Sequence, residues 1–330
     1  LLDKRAKQHH LAAMTFASPE ASQSVRLLAA AKINLHLRVA PPTADGFHPL
    51  LTWMCAISLF DILTLSIGEP VPMAHAIGLS CDDPALPTDS SNLVVRAGQL
   101  VARKIESTIP QGGATREGAL PLSLKSVRVL LEKHIPAGAG LGGGSADGAV
   151  MMQAVNRIWG AGMSAAELAA LSSKCGSDLP FFFHGPSSIC TGRGEQVRPI
   201  AVPAVKWGVL ILPGIAMPTP AVYRKFDEMK LGRPGNVIDD VDWNAWTGLP
   251  AMELLPRLVN DLEAPAFAIC PQLGAMRSEI ELQLRRPVRM SGSGSSLFTL
   301  FDDRAEAEDA AGEIAKKINA RAIGIEVAPV

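Results

Sequence analysis

Pro136-Ala-Gly-Ala-Gly-Leu-Gly-Gly-Gly-Ser145 sets five glycines, Gly138, Gly140, Gly142, Gly143 and Gly144, between a β-rich segment and one of helical character. Glycine reaches φ > 0 without steric cost and lets a ligand come close to the backbone. The helix that follows offers unpaired N–H groups and a partial positive charge at its start. Together these suit a phosphate group; an ordinary turn needs one or two glycines. No lysine follows the run as a Walker loop requires. Gly138, Gly140 and Gly143 can be read as G-x-G-x-x-G, a weak match. It lacks the N-terminal βαβ setting, and Glu167, the acidic residue at about the right distance, is already explained by a capping box with Ser164.

Outward from this run, residues 127–132 predict a strand leading into the glycines and 146–159 a helix leading away. The Ser164–Glu167 pair predicts a helix to about residue 174. Residues 181–183 and 188–191 read as short strands. Upstream, 25–39 alternates with period two, which puts Lys32, Asn34 and His36 on one face and Ile33, Leu35 and Leu37 on the other. Segments 50–60, 61–68 and 76–81 predict further strands, 92–105 a helix and 110–121 a Gly/Pro-rich insertion. Beyond a boundary near 199–203, strands are expected at 207–212, 288–290, 297–301 and 322–327, and helices at 251–255, 270–283 and 305–320. A second glycine loop, 291–296, suggests a second wall or support for one phosphate site. This order, without a regular βαβ rhythm, is α+β. The expected organisation is a disordered extension at 1–24, an N-terminal domain at 25–200 that carries the glycine run and a C-terminal domain at 201–330.

Composition narrows the classes. The 330 residues are 48% hydrophobic and 19% charged, enough for two cored domains and too apolar for general disorder. With 31 basic against 32 acidic residues the net charge is −1, so no global positive field favours nucleic acid. Cys55, Cys81, Cys175, Cys190 and Cys270 are odd in number and never C-x-x-C, which argues against a disulfide scaffold or a cysteine zinc site and for a reduced cytoplasm. The longest uncharged apolar run, 50–60, falls short of the ~20 residues a membrane helix needs. The first residues carry Lys4, Arg5, Lys7, His9 and His10 but no apolar core, unlike a signal peptide; Asp3 and Glu20 count against a transit peptide.

The glycine run resembles the second motif of the GHMP kinases, Ser291-Gly-Ser-Gly-Ser-Ser the third, and Ala31-Lys32-Ile33-Asn34-Leu35 the first. Asp45-Gly46-Phe47-His48-Pro49-Leu50, Ser91-Asn92-Leu93-Val94 and Gly176-Ser177-Asp178-Leu179-Pro180-Phe181 follow in order and are similar to one branch of that superfamily, whose acceptor is a cytidine-diphosphate-linked methylerythritol. The likeness runs from about residue 27 to 327, and the Asp-Gly-Phe-His and Gly-Ser-Asp-Leu-Pro blocks are far more specific than the loops. It implies a two-domain GHMP kinase fold, with an N-terminal domain like the second domain of ribosomal protein S5 and a ferredoxin-like C-terminal domain. It also implies ATP along the glycine loop, with Mg²⁺ expected. The acceptor would lie in the interdomain cleft and receive the γ-phosphoryl group on the 2-hydroxyl of its methylerythritol unit, in the non-mevalonate route to isoprenoids. The expected partner is this small molecule, not nucleic acid or a membrane, in a cytoplasmic monomer or weak dimer. The rivals are a GHMP kinase for another alcohol, an RNA-binding S5-like protein and a dinucleotide oxidoreductase.

Site residues follow from the same resemblance. Read from its neighbours alone, Asp178 caps the turn before Pro180; the matching block makes it the catalytic carboxylate. Lys32, by itself a solvated strand residue, becomes its catalytic partner, and Asn34 a substrate contact. Phe47, otherwise a core residue, and Tyr223, the only tyrosine, would sandwich cytosine; His48 would meet a cytosine edge, and Thr219 lies beside them. Asn92 and Lys133 match positions near the nucleotide, with Pro136, Ala137, Gly138, Ala139, Gly140, Leu141, Gly142, Gly143, Gly144, Ser145 and Ala146 forming its loop. For Ser145, three roles stay open: helix cap, phosphate contact or neighbour of the metal. Ala146-Asp147-Gly148 departs from the Ser-Asn-Ala of some relatives, so Ala146 offers no hydroxyl. No acidic residue is assigned to the metal.

Overall fold

The computed structural model describes residues 24–108, 122–318 and 320–329. The expected extension, apart from Ser24, and the insertion at 110–121 lie outside them. β1 (Ser24–Val39) and β2 (Leu50–Pro72) form a long antiparallel ribbon. β3 (Ile77–Cys81) is followed by α1 (Leu93–Thr108) and then β4 (Ser123–Glu132), which runs parallel to β3 and antiparallel to the distal half of β2. After the glycine loop come α2 (Gly143–Ile158), α3 (Ala165–Ser172), β5 (Ser187–Gly192) and β6 (Gln196–Pro199). β5 pairs with the proximal end of β2, so one strand organises a six-stranded sheet ordered β3-β4-β2-β5-β6 with β1 on β2.

β2 joins two segments that the sequence separates at Asp61. A carboxylate breaks an apolar strand only if it goes unpaired. Asp61 is wholly buried and accepts N–H bonds from His134 (2.6 Å) and Ile135 (2.8 Å), so the strand runs on. Residues 181–183 are likewise not a strand. They belong to a 3₁₀ turn, Leu179–Phe183, opened by Pro180, whose fixed φ and missing N–H suit a helical first turn. α3 carries the expected capping box, with Glu167 N–H donating to Ser164 Oγ.

Alternating residues of β1, β2 and β4 (Leu27, Ala29, Leu63, Leu65, Val127, Val129, Leu131) pack under α1 and α2 as one core. The second sheet, ordered β10-β7-β9-β8, holds β7 (Trp207–Leu212). Then follow α4 (Thr219–Glu228), α5 (Trp243–Thr247), α6 (Ala251–Leu254), α7 (Glu263–Ile269), α8 (Pro271–Leu284), β8 (Arg289–Met290), β9 (Leu297–Phe301), α9 (Arg304–Lys317) and β10 (Arg321–Glu326). Helices α4, α5 and α7 are not among those expected from the sequence, although α4 buries Val222 and Phe226 one turn apart. Ile33, Trp53 and Ile57 of the first sheet share a cluster with Leu210, Phe298 and Ile325 of the second, which fixes the cleft between them.

One bulge reverses an expectation. Asn34 pairs with Met54, but His36 pairs with Trp53, leaving Leu35 as the extra residue. A one-residue slip sends later side chains to the opposite face. His36 therefore leaves the face of Lys32 and Asn34. It lies edge-on to Trp243 (5.8 Å) and Trp246 (5.6 Å), accepts the Val259 N–H, and has its pKa lowered to about 4 by burial and then by Arg38.

Candidate active site

The glycine loop lines a cleft of about 470 Å³ between the sheets. Gly138, Gly140 and Gly142 all have φ near +70° (67, 77 and 67°), the left-handed region that glycine occupies freely. Gly142 is the N-cap of α2, which makes Ser145 the third helical residue and not its cap. Ala146 is buried in the core beneath α2 and is not part of the cleft wall. The second glycine loop braces the first. Ser291 Oγ donates to Gly140 O (2.9 Å) and accepts the Asn34 N–H (3.1 Å), and the Ser296 N–H donates to Ala139 O (3.2 Å). A Cβ on Gly140 would stand 2.2 Å from the Ser291 carbonyl oxygen.

Lys32 is buried, and its ammonium is fully engaged. Nζ donates to Asn34 Oδ1 (2.6 Å) and Gly140 O (3.1 Å) and lies 3.3 Å from Asp178 Oδ2. Asn34 in turn donates to Thr52 Oγ1 (2.8 Å). Asp178 stands at the N-cap of the 3₁₀ turn but makes no side-chain cap bond there, so turn capping does not account for it. It is one-third exposed and turned to the cleft.

At one end of the cleft, Asn92 caps α1, accepting the Val94 N–H at 2.9 Å and donating to Pro87 O. Lys133 is not a surface lysine: it sits between Asp61 and Asp147, 2.9 Å from the latter. Burial alone would lower its pKa, but the two carboxylates outweigh that and raise it. Asp61 and Asp147 escaped sequence reasoning; the signal for Asp61 was a charge inside an apolar strand, which must find a buried partner. Burial pushes Asp147 up to about 7, with Lys133 opposing and Asp61 adding to the shift. A folded value above the unfolded one means that protonation stabilises the fold. That contribution is complete below the unfolded value and is lost as the pH rises through about 7. Asp147→Asn is therefore expected to melt higher than the parent at pH 8, with the gap narrowing as the pH falls towards 4. Thermal melts across that range check it; a gap that grows towards acid would contradict it.

At the other end, Thr219 opens α4 and bonds Ser293 of the second glycine loop (2.8 Å), with Tyr223 one turn on. Burial, then Asp178, raises the Tyr223 phenol and keeps it protonated. The His48 ring lies 5.0 Å from Tyr223. Its Nδ1 donates to Ala40 O (2.8 Å), and Nε2 lies 3.4 Å from the Asp227 carboxylate. Phe47 is neither core nor cleft wall: it is 51% exposed, with the Arg193 guanidinium 3.8 Å over its ring.

Residues 92–186 match the GHMP kinases N terminal domain and 248–320 the GHMP kinases C terminal domain. Among curated relatives, 4-diphosphocytidyl-2-C-methyl-D-erythritol kinase of Salinispora tropica is 37% identical, over 89% of this chain and 89% of its own. The Nocardioides sp. kinase of the same name is 35% identical over 87% and 91%. This chain belongs to the 4-diphosphocytidyl-2-C-methyl-D-erythritol kinase family. A crystal structure of 4-(cytidine 5'-diphospho)-2C-methyl-D-erythritol kinase superposes with a TM-score of 0.69 at 33% identity, covering 92% of this chain and all (100%) of that one. Homoserine kinase from Cytophaga hutchinsonii shares the fold at 17% identity (TM-score 0.63, 96% and 97% covered). The two-sheet α+β architecture is thus the two-domain GHMP kinase fold, and the chain is a small-molecule kinase. Among the described residues, no helix is long and apolar enough to cross a membrane.

Proposed function

We propose that this chain transfers the γ-phosphoryl group of ATP to the 2-hydroxyl of 4-diphosphocytidyl-2-C-methyl-D-erythritol, a step towards isoprenoid precursors in the cytoplasm. The observation that carries the reading is the Lys32–Asp178 pair, 3.3 Å apart in the cleft, with the same ammonium bonded to Gly140 of the glycine loop. Phosphates rest on the loop and the first turn of α2, whose N–H groups have no partner within the helix. Asp178 orients the acceptor hydroxyl and accepts its proton; in a loose phosphoryl transfer, positioning carries much of the rate. Lys32 fixes the carboxylate and ties it in register with the loop, and Asn34 holds the substrate from the same strand.

The donors fit Mg²⁺ carried in on the nucleotide. Among the described residues, no three acidic, histidine or cysteine side chains form a cage. Mg²⁺ commonly takes one or two carboxylates plus phosphates, and Ser145, a cleft hydroxyl in the first turn of α2, is an oxygen that would help to hold it beside the phosphates. Bound there, it would neutralise charge on the transferred group. The assignment of 25–200 to the nucleotide domain and 201–330 to the second domain belongs to the same reading, supported by the division of strands between the sheets. The deciding experiment is ATP consumption with and without the cytidine diphosphate substrate: turnover only with it supports the reading, and equal consumption without it sinks it.

Tyr223 is assigned to stack on cytosine from the wall of the cleft. Aromatic stacking on a base is worth about 1–3 kcal/mol, so Tyr223→Ala is expected to weaken substrate binding by roughly five- to a hundredfold, and Tyr223→Phe to cost little. Equal losses in calorimetric titrations of the two variants would shift the role to the hydroxyl.

A further inference from the structure

Asp61, Lys133 and Asp147 come from β2, the segment after β4 and helix α2, yet they meet in one buried cluster. Asp61 is wholly buried; it takes the N–H groups of His134 and Ile135 and pairs with Lys133. Asp147, 2% exposed, pairs with the same ammonium through Oδ2 at 2.9 Å, while its Oδ1 is buried with no hydrogen-bond partner among the described residues. The positions along the chain matter. Residues 133–135 are the last before the glycine run, and Asp147 lies just past it. The cluster therefore grips both stems of one loop and fastens them to the sheet. The stems are close: a Cβ on Gly143 would meet Ile135 Cγ2 at 2.9 Å and Asp61 Oδ2 at 3.3 Å.

We infer that Asp61, Lys133 and Asp147 are positioning residues that clamp the two stems of the glycine loop and so set its affinity for nucleotide phosphates, with Lys133 acting through the carboxylates and not as a phosphate ligand. Two carboxylates in a low-dielectric site repel unless a cation lies between them or one takes up a proton. Without Lys133 they would push apart or share a proton, and in either case the ammonium that ties both carboxylates to the segment before the loop is lost. A lysine that served as a direct phosphate ligand would have a free ammonium facing the cleft; this one is held by both carboxylates.

The inference rests on the nucleotide lying on the glycine loop, and the test separates the two. ADP binding is measured by calorimetry on the wild-type protein, Lys133→Met and the double variant Lys133→Met/Asp147→Asn. Wild-type protein that binds no ADP overturns the nucleotide site itself. With wild-type binding intact, the clamp predicts at least tenfold weaker ADP binding in Lys133→Met. It also predicts recovery of at least threefold in the double variant, because the amide that Asp147→Asn introduces can donate to Asp61 in place of the lost ammonium whatever the pH. A direct phosphate ligand predicts no recovery, and that result overturns the clamp, as does unaltered binding in Lys133→Met. Should Lys133→Met fail to fold, Asp147→Asn and Asp147→Ala decide, since each removes a buried charge. Asn keeps an acceptor for Lys133 and Ala does not, so KM for ATP should rise at least threefold more in Ala than in Asn. In both variants, kcat and KM for the alcohol should stay within about twofold of each other. Equal KM values for ATP overturn the clamp.

Discussion

Asp178→Asn is expected to lower turnover by about 10²–10⁴-fold, the usual worth of general-base assistance, while ADP binding and melting temperature stay near those of the parent. The substitution keeps the shape of the side chain and removes its charge and most of its basicity. The nucleotide is held by backbone groups of the glycine loop, which Asp178 does not touch. Asp178 makes no cap bond to its own turn, so stability has little to lose. Its near neighbour Lys32 keeps two other acceptors, Asn34 Oδ1 and Gly140 O. A turn-capping aspartate would give the reverse pattern, with a lower melting point and turnover spared. Steady-state turnover and a thermal melt on one sample separate the two, and a folded Asp178→Asn enzyme with near-parental turnover would remove Asp178 from the chemistry.

Gly140→Ala is expected to be the most damaging single methyl group in the cleft. Gly140 has φ +77°, where a Cβ costs about 1–2 kcal/mol. That Cβ would stand 2.2 Å from the Ser291 carbonyl oxygen and 3.2 Å from that of Gly294, backbone atoms that cannot swing aside. Overpacking adds about 1–3 kcal/mol. The two loops must part, and with them the bonds from Ser291 and Lys32 to Gly140 O. Loss of stability of about 3 kcal/mol or more should accompany loss of ADP binding. Gly138→Ala is the control: its φ is +67°, but among the described residues none beyond its chain neighbours lies within 4 Å of the added carbon, so only the backbone penalty applies. Denaturant melts and ADP titrations of both variants check the contrast, and equal effects would show that loop docking does not matter.

The parts of this molecule legible in its sequence are those with a local cause. Glycines before a helix, a Ser-x-x-Glu box and period-two strands are written in neighbouring residues, and each appears where expected. The Lys32–Asp178 pair was legible only through motif resemblance, because nothing local brings together residues so far apart in the chain. His36 went astray because the bulge at Leu35 is imposed by pairing with β2, not by β1 itself. The apparent strand at 181–183 was apolar enough, but Pro180 and the tight return to β5 favour a 3₁₀ turn. Asp61 looked like a break because its three partners lie beyond β4 in sequence. Phe47 reads as a core residue from its own segment, but it is exposed beneath Arg193, which also pairs with Asp45.

The brace between the glycine loops also bears on the order in which the chain becomes an enzyme. During synthesis, Lys32, the glycine run and Asp178 all leave the ribosome well before Ser291, whose hydroxyl holds the Gly140 carbonyl and the Asn34 N–H. A nascent chain that has released every reacting side chain still lacks the piece that locks the phosphate cradle. Competence thus arrives only once translation has passed residue 291, and a product of premature termination before it carries the catalytic pair without the support that its nucleotide loop requires.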